Sequence, residues 1–149
     1  MGVRGDKELA RAFRSLAAAV TPAVRKKARQ KGLRVVQMDA KDRLALNDSV
    51  ETRALLSKIA VDESGKANTS LVGVKRGRTG RMNRMPARYA HLVEFGTAPH
   101  FQPNRFGGIM HPGARPKPFM RPAFEENRAE IPKAYFQEIW TAIATKAKS

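Results

Sequence analysis

The segment from Gly96 to Pro122 most constrains what this chain can fold into. Ten of its 27 residues are Gly or Pro, and it holds six of the nine prolines. Proline fixes φ and lacks a backbone donor, and glycine weakens helices and strands. The composition therefore predicts irregular structure over 96–122 and confines regular elements to the flanks. Irregular segments of this length inside small domains usually carry function. At 149 residues, the length predicts a single domain over 1–149 with a modest core.

The flanks carry clearer periods. Leu9, Phe13, Leu16, Val20 and Val24 follow helical spacing, which predicts a helix over 6–31 interrupted at Thr21-Pro22. Thr21 is a candidate cap, Pro22 suits a first helical position, and Gly32 is a plausible stop. Residues 33–50 are ambiguous: Leu33, Val35, Val36 and Met38 could make a short strand, but Leu44 and Leu46 follow among charges without a clear period, and the segment is expected to be irregular. Ser57 to Glu63 alternates polar and apolar residues, 64–68 supplies turn chemistry, and Thr69 to Lys75 reads as a second strand. A hairpin follows from that order. Residues 76–86 read as a Gly- and Arg-rich loop, and 87–95 as a short amphipathic helix ending at Gly96. Phe119 to Lys148 reads as a C-terminal helix with Phe124, Ile131, Tyr135, Ile139 and Ile143 on one face and a kink or break at Pro132. The expected fold is α+β: a small antiparallel sheet packed by an N-terminal amphipathic helix and a C-terminal helix, with a long Pro/Gly-rich loop.

Charge narrows the function. Lys and Arg number 29 against 13 Asp and Glu, a formal net charge of +16. Lys75, Arg76, Arg78, Arg81, Arg84 and Arg88 stand without an acid across 75–88, and Arg105, Arg115, Lys117 and Arg121 without one across 105–121. Unopposed cations repel one another unless a polyanion lies nearby, which points to nucleic acid. Sequence-specific readout is not expected, because zinc-finger spacing, basic-zipper heptads and aromatic ribonucleoprotein motifs are all missing from the sequence. The longest apolar run, Leu16 to Val20, is far too short for a membrane span, and the opening residues read as amphipathic helix rather than signal peptide. With no cysteine, disulfides and thiolate chemistry are excluded.

Catalysis finds little support. His91, His100 and His111 lack the i, i+4 spacing of helical metal ligands, although His100 and His111 could converge from the loop. Glu94 is the only acid between 64 and 124, so a carboxylate ligand is scarce there. Asp39, Asp42 and Asp48 form a group outside the basic loop, where a magnesium nuclease would need its acids. Neither an enzyme nor a cofactor or metal is expected.

Two stretches are more specific than composition. The first is Tyr89-Ala90-His91-Leu92-Val93-Glu94-Phe95-Gly96-Thr97. The second runs Ala114-Arg115-Pro116-Lys117-Pro118-Phe119-Met120-Arg121-Pro122-Ala123-Phe124-Glu125. Glu94 is placed to pair with Arg88, Arg115 or Arg121, Gly96 to leave a helix in the left-handed region, and Phe119 and Phe124 to anchor the last helix. Together with Leu55-Leu56-Ser57-Lys58-Ile59 at the start of the hairpin, these stretches resemble the tail-component family of long-tailed bacteriophages and prophages, the gene-product-ten-like tail-completion or neck proteins. The resemblance covers roughly 6–145. Thr52-Arg53 stands where the family has Thr-Gly, 37–50 reads as an insertion, and Lys117 splits the Arg-Pro-Phe run.

The resemblance implies a structural virion protein that joins tail to head as a ring, hexameric to match the tail. Its implied partners are its own copies, a head-closure protein and a tail terminator or tail tube protein. Contact with genomic DNA would be non-specific. It further implies a place in the virion neck, with assembly in the host cytoplasm. Tyr89, His91, Glu94, Phe95, Gly96, Thr97, Arg115, Pro116, Phe119 and Pro122 are then the motif and assembly residues. Lys75, Arg76, Arg78, Arg81 and Arg84 are the DNA-channel candidates, and 76–86 and 98–118 are flexible arms. The alternative is a non-specific nucleic-acid-binding protein that acts without partners.

Overall fold

In the computed structural model the described residues are 6–46, 54–63, 68–75, 81–103 and 108–148. The order is α1 (Asp6–Ala19), α2 (Pro22–Ala45), a single helical turn at 54–56, β1 (Ile59–Glu63), β2 (Ser70–Val74), α3 (Arg81–Phe95), β3 (His100–Gln102), β4 (Ile109–His111), α4 (Met120–Glu126) and α5 (Glu130–Ala147). Strand β1 pairs with β2 and β3 with β4, giving two small antiparallel sheets. The α+β expectation is met, with two two-stranded ribbons in place of one sheet.

The break at 20–21 is a true helix boundary. Thr21 Oγ1 accepts the Val24 N–H (3.2 Å) and the Thr21 carbonyl accepts the Arg25 N–H (3.0 Å), so α2 starts on Pro22 with its cap made. The expectation of an irregular 33–50 is wrong for 33–45. Helix α2 runs through Gly32 to Ala45, and its buried positions are Ala28, Gly32, Val36, Ala40 and Leu44. A four-residue step advances 40° beyond a full turn, so this buried line winds around the helix rather than keeping to one face. The stretch read as an insertion is thus a continuation of α2 up to Ala45, and 47–50 and Thr52-Arg53 lie outside the described residues.

The chain divides into two compact units, one from Met1–Val35, Val61–Leu71 and Arg128–Ser149 and the other from Val36–Ala60 and Val72–Asn127. In the first, α1 packs against α5. Arg29 of α2 donates to Ser70 Oγ of β2 (3.2 Å). Gly32 lies so close to α5 that an added Cβ would stand 2.9 Å from the Ile131 carbonyl oxygen. Gly32 is a helix–helix contact, not a stop. In the second unit Gln37 donates to the Ile59 carbonyl (2.9 Å), and the Lys75 N–H donates to the Lys58 carbonyl (2.8 Å) at the open end of the first hairpin. Asn68 sits at φ 60°, a left-handed turn conformation that asparagine tolerates, while the rest of the expected turn, 64–67, lies outside the described residues.

The expected C-terminal helix is two helices, and the break is not at Pro132. Asn127 Nδ2 donates to the Ala123 carbonyl (2.9 Å) and to Asp39 Oδ2 (2.6 Å), which satisfies a last-turn carbonyl and ends α4. Arg43 pairs with Asp39 (3.0 Å) and with Glu126, tying α2 to the same helix end. Pro132 is the third residue of α5, where a missing N–H costs nothing.

Gly32→Ala should therefore destabilise the protein. Alanine gains about 1 kcal/mol of helix propensity over glycine, but the clash is with backbone and cannot be relieved by a rotamer change. A net loss of about 1–2 kcal/mol is expected, read as a lower urea midpoint with unchanged slope.

Candidate functional site

The two motif stretches meet in space. Helix α3 ends at Phe95, and Gly96 turns the chain at φ +73°, where an added Cβ would lie 2.5 Å from the Ala114 carbonyl oxygen. Only glycine satisfies both the backbone angle and the approach. Thr97 and Ala114 then exchange both backbone hydrogen bonds (2.9 and 3.0 Å), and the Lys117 N–H donates to the Val93 carbonyl (2.8 Å).

Glu94 completes the junction in a way the sequence reading missed. Its carboxylate pairs with no arginine among the described residues. Oε2 accepts the N–H groups of Phe119 (2.8 Å) and Met120 (3.0 Å), and Oε1 accepts that of Arg121 (2.9 Å). These are first-turn donors of α4, a helix with no side-chain cap of its own at Phe119. A buried carboxylate against a helix N-terminus meets both unsatisfied donors and the positive end of the dipole. Phe119 is buried beside it, whereas Phe124, expected to share the anchoring, is 48% exposed. Arg121 instead places its guanidinium over the Phe95 ring, 5.9 Å from the centroid.

The residues between the two stretches are not irregular throughout. β3 and β4 form an antiparallel ribbon with His100 opposite His111, Phe101 opposite Met110 and Gln102 opposite Ile109. The expected convergence of His100 and His111 occurs, with the rings stacked at 5.1 Å. Three of their four ring nitrogens are already engaged. His100 Nδ1 donates to the Ala98 carbonyl (3.0 Å), Gln102 Nε2 lies 3.1 Å from His100 Nε2, and His111 Nδ1 accepts the Gly113 N–H (3.0 Å). Among the described residues no group of three or more His, Asp or Glu side chains could hold a metal.

The remaining candidates fall as follows. Tyr89 and Thr97 are half-buried, as is Pro122, while His91, Arg115 and Pro116 are exposed. Lys75 is exposed at the end of β2. Arg76 and Arg78 lie outside the described residues. Arg81 and Arg84 fall within α3, so the arm expected over 76–86 is helical from 81 onward. The arm expected over 98–118 carries the β3–β4 ribbon, and its Arg105 lies outside the described residues.

Two features had no signal in the sequence reading. Beside the junction, Val36, Val72, Val74, Ala90, Phe119 and Phe124 line an apolar cavity of about 550 Å³, with His91 and Arg121 among its polar groups. In the first unit, Glu138 of α5 lies between two lysines of α2, accepting from Lys27 Nζ (2.6 Å) and Lys31 Nζ (3.0 Å). Hydrogen bonds from Lys27 and then Lys31 hold its carboxyl below the ordinary glutamate value. The lysines sit four apart, but the acid is more than a hundred residues away, so periodicity cannot pair them.

Among the described residues, no helix is long and apolar enough to cross a membrane. Compared with known proteins, the chain matches no family model, no curated protein and no solved structure.

Glu94→Ala strands three helix-start donors and should cost about 2–4 kcal/mol. Glu94→Gln keeps one acceptor oxygen and should cost clearly less, with both read from denaturant midpoints. Glu138 sets an acid limb. Because its folded carboxyl titrates below the unfolded one, its stabilisation is complete above the ordinary carboxylate range and is lost as pH falls through the folded value. Melting temperatures measured from pH 6 to 2 should fall less steeply for Glu138→Gln than for the parent chain.

Proposed function

We propose that this protein is a structural subunit of a tailed-phage neck, a tail-completion or head–tail joining component that assembles as a ring around the DNA channel. One observation carries the reading beyond the motif resemblance: large apolar side chains stand in solvent on several elements. Leu9 and Phe13 of α1 are 57% and 63% exposed, Phe101 and Met110 of the ribbon 59% and 66%, and Phe136 and Trp140 of α5 56% and 66%. A chain that worked alone would not keep so many large apolar groups wet, whereas a ring subunit covers them with its neighbours. Six copies would match the tail, with a head-closure protein on one face and a tail terminator or tail tube protein on the other. The work is positional and needs no catalytic group or cofactor.

The motif residues have a role in this reading. Glu94, Gly96 and the Thr97–Ala114 bridge hold the two ends of the 98–113 segment together, which presents the ribbon as one body to a neighbour. A nucleic-acid-binding protein acting without partners accounts for the charge but leaves Phe101, Met110 and Trp140 without purpose. In the virion the protein would sit at the neck, having assembled in the host cytoplasm.

Electron microscopy of particles assembled without this gene tests the proposal. Filled heads beside separate, finished tails are the expected result. Intact, infectious virions would remove the protein from the neck.

A further inference from the structure

The arginines of 75–88 drew attention in the sequence, but among the described residues a denser run of cations lies on α2. Arg25, Lys26, Lys27, Arg29, Lys31 and Arg34 occur within ten residues with no acid among them. Lys27, Lys31 and Arg34, at i, i+4 and i+7, share one helix face. With Gln30 and Glu138 they line a polar cleft of about 260 Å³. Lys27, Lys31 and Arg34 are all exposed, while the Glu138 side chain beneath them is only 10% exposed.

That arrangement differs from a solvated charged face. Two ammonium groups are held on one carboxylate at 2.6 and 3.0 Å, so their long side chains are already ordered before any ligand arrives. Each ammonium has three donors and directs one to Glu138, which leaves donors facing outward. The carboxylate lies below and presents little surface to an incoming anion. Arg34 adds a planar fork suited to phosphate oxygens. The seven-residue span from Lys27 to Arg34 covers about 10 Å of helix, the axial length of about three phosphates on one strand.

We propose that this face of α2 is a binding site for the phosphate backbone of double-stranded DNA, with Lys27, Lys31 and Arg34 as the contacting residues and Glu138 as the residue that positions the two lysines. The contact is blind to sequence, because the face offers cations and one amide but no aromatic or apolar wedge for base steps. An anionic membrane is a poorer match, since the flank of α2 beside these cations is packed, at Ala28 and Gly32, and offers no apolar strip of this helix to enter lipid. The site stands apart from the neck reading: normal virions from the gene deletion would end that reading and leave this one untouched.

Fluorescence anisotropy of the full chain with two labelled duplexes of unrelated sequence, across a salt series, tests it. The Lys27→Gln, Lys31→Gln, Arg34→Gln triple variant should bind both duplexes at least tenfold more weakly at low salt. Its log–log salt slope should be shallower by about two to three. Should the triple variant fail to fold, Arg34→Gln alone, which leaves the Glu138 pairs in place, should lower the slope by about one. Parent-like affinity and slope in a folded variant would overturn the proposal, as would loss only when Arg76, Arg78, Arg81 and Arg84 are changed. Equally tight, Lys27- and Lys31-dependent binding to phosphatidylserine vesicles would overturn it in favour of a membrane surface.

Discussion

The capture of three backbone donors by Glu94 is the interaction on which the junction of α3 and α4 depends. It joins the last turn of α3 to the first turn of α4, between residues 25 positions apart in the chain. Without it α4 has no cap, and Phe119 loses the constraint that keeps it buried. The Gly96 turn, the Thr97–Ala114 bridge and the Lys117–Val93 hydrogen bond align the same two strands of chain, so the four act together rather than singly. A lone acid in a strongly basic stretch invites an ion-pair assignment. The geometry shows that its partners are amides, whose N–H groups at a helix start are as good a counterpart as a guanidinium and cost no side-chain entropy to place.

The first unit solves a different problem. Helix α2 carries many cations and few large apolar residues, and isolated helices of that composition gain little from burial. Its contact with α5 rests on small residues, Ala28 and Gly32, that let the backbones approach, and on Glu138, which neutralises part of the charge at the same contact. Close packing and charge compensation are both needed there. The same residues therefore serve stability and hold the cations of α2 in a fixed order. At the far end of the helix, Asp39 and Arg43 join Glu126 and Asn127, so the group of Asp39, Asp42 and Asp48 includes one acid committed to structure.

Helix and hairpin patterns with a large apolar signal were legible. The Thr21-Pro22 boundary, the first hairpin and the Gly96 exit follow from local chemistry that survives folding unchanged. The second half of α2 was not legible, because its buried line advances by four residues and is built partly of Ala and Gly, so no fixed apolar face marks it. The division between α4 and α5 was misplaced because proline is the loudest local signal, whereas the stop comes from Asn127 reaching Asp39, 88 positions away. The β3–β4 ribbon was hidden by prolines that flank the paired residues rather than interrupt them: Pro99 and Pro112 stand just outside His100–Gln102 and Ile109–His111.

By itself the sequence determined the α+β class, the excess of positive charge and the places where the backbone must turn, since these depend on residue type and near neighbours. Tertiary structure alone decided which charges are compensated and which large apolar groups stay exposed. Those outcomes turn on pairs such as Glu94 with Phe119 and Glu138 with Lys31, and on the close approach of Gly32 to Ile131. No periodicity encodes a meeting of residues 25 to 107 positions apart. Only the packed chain brings them within hydrogen-bond reach.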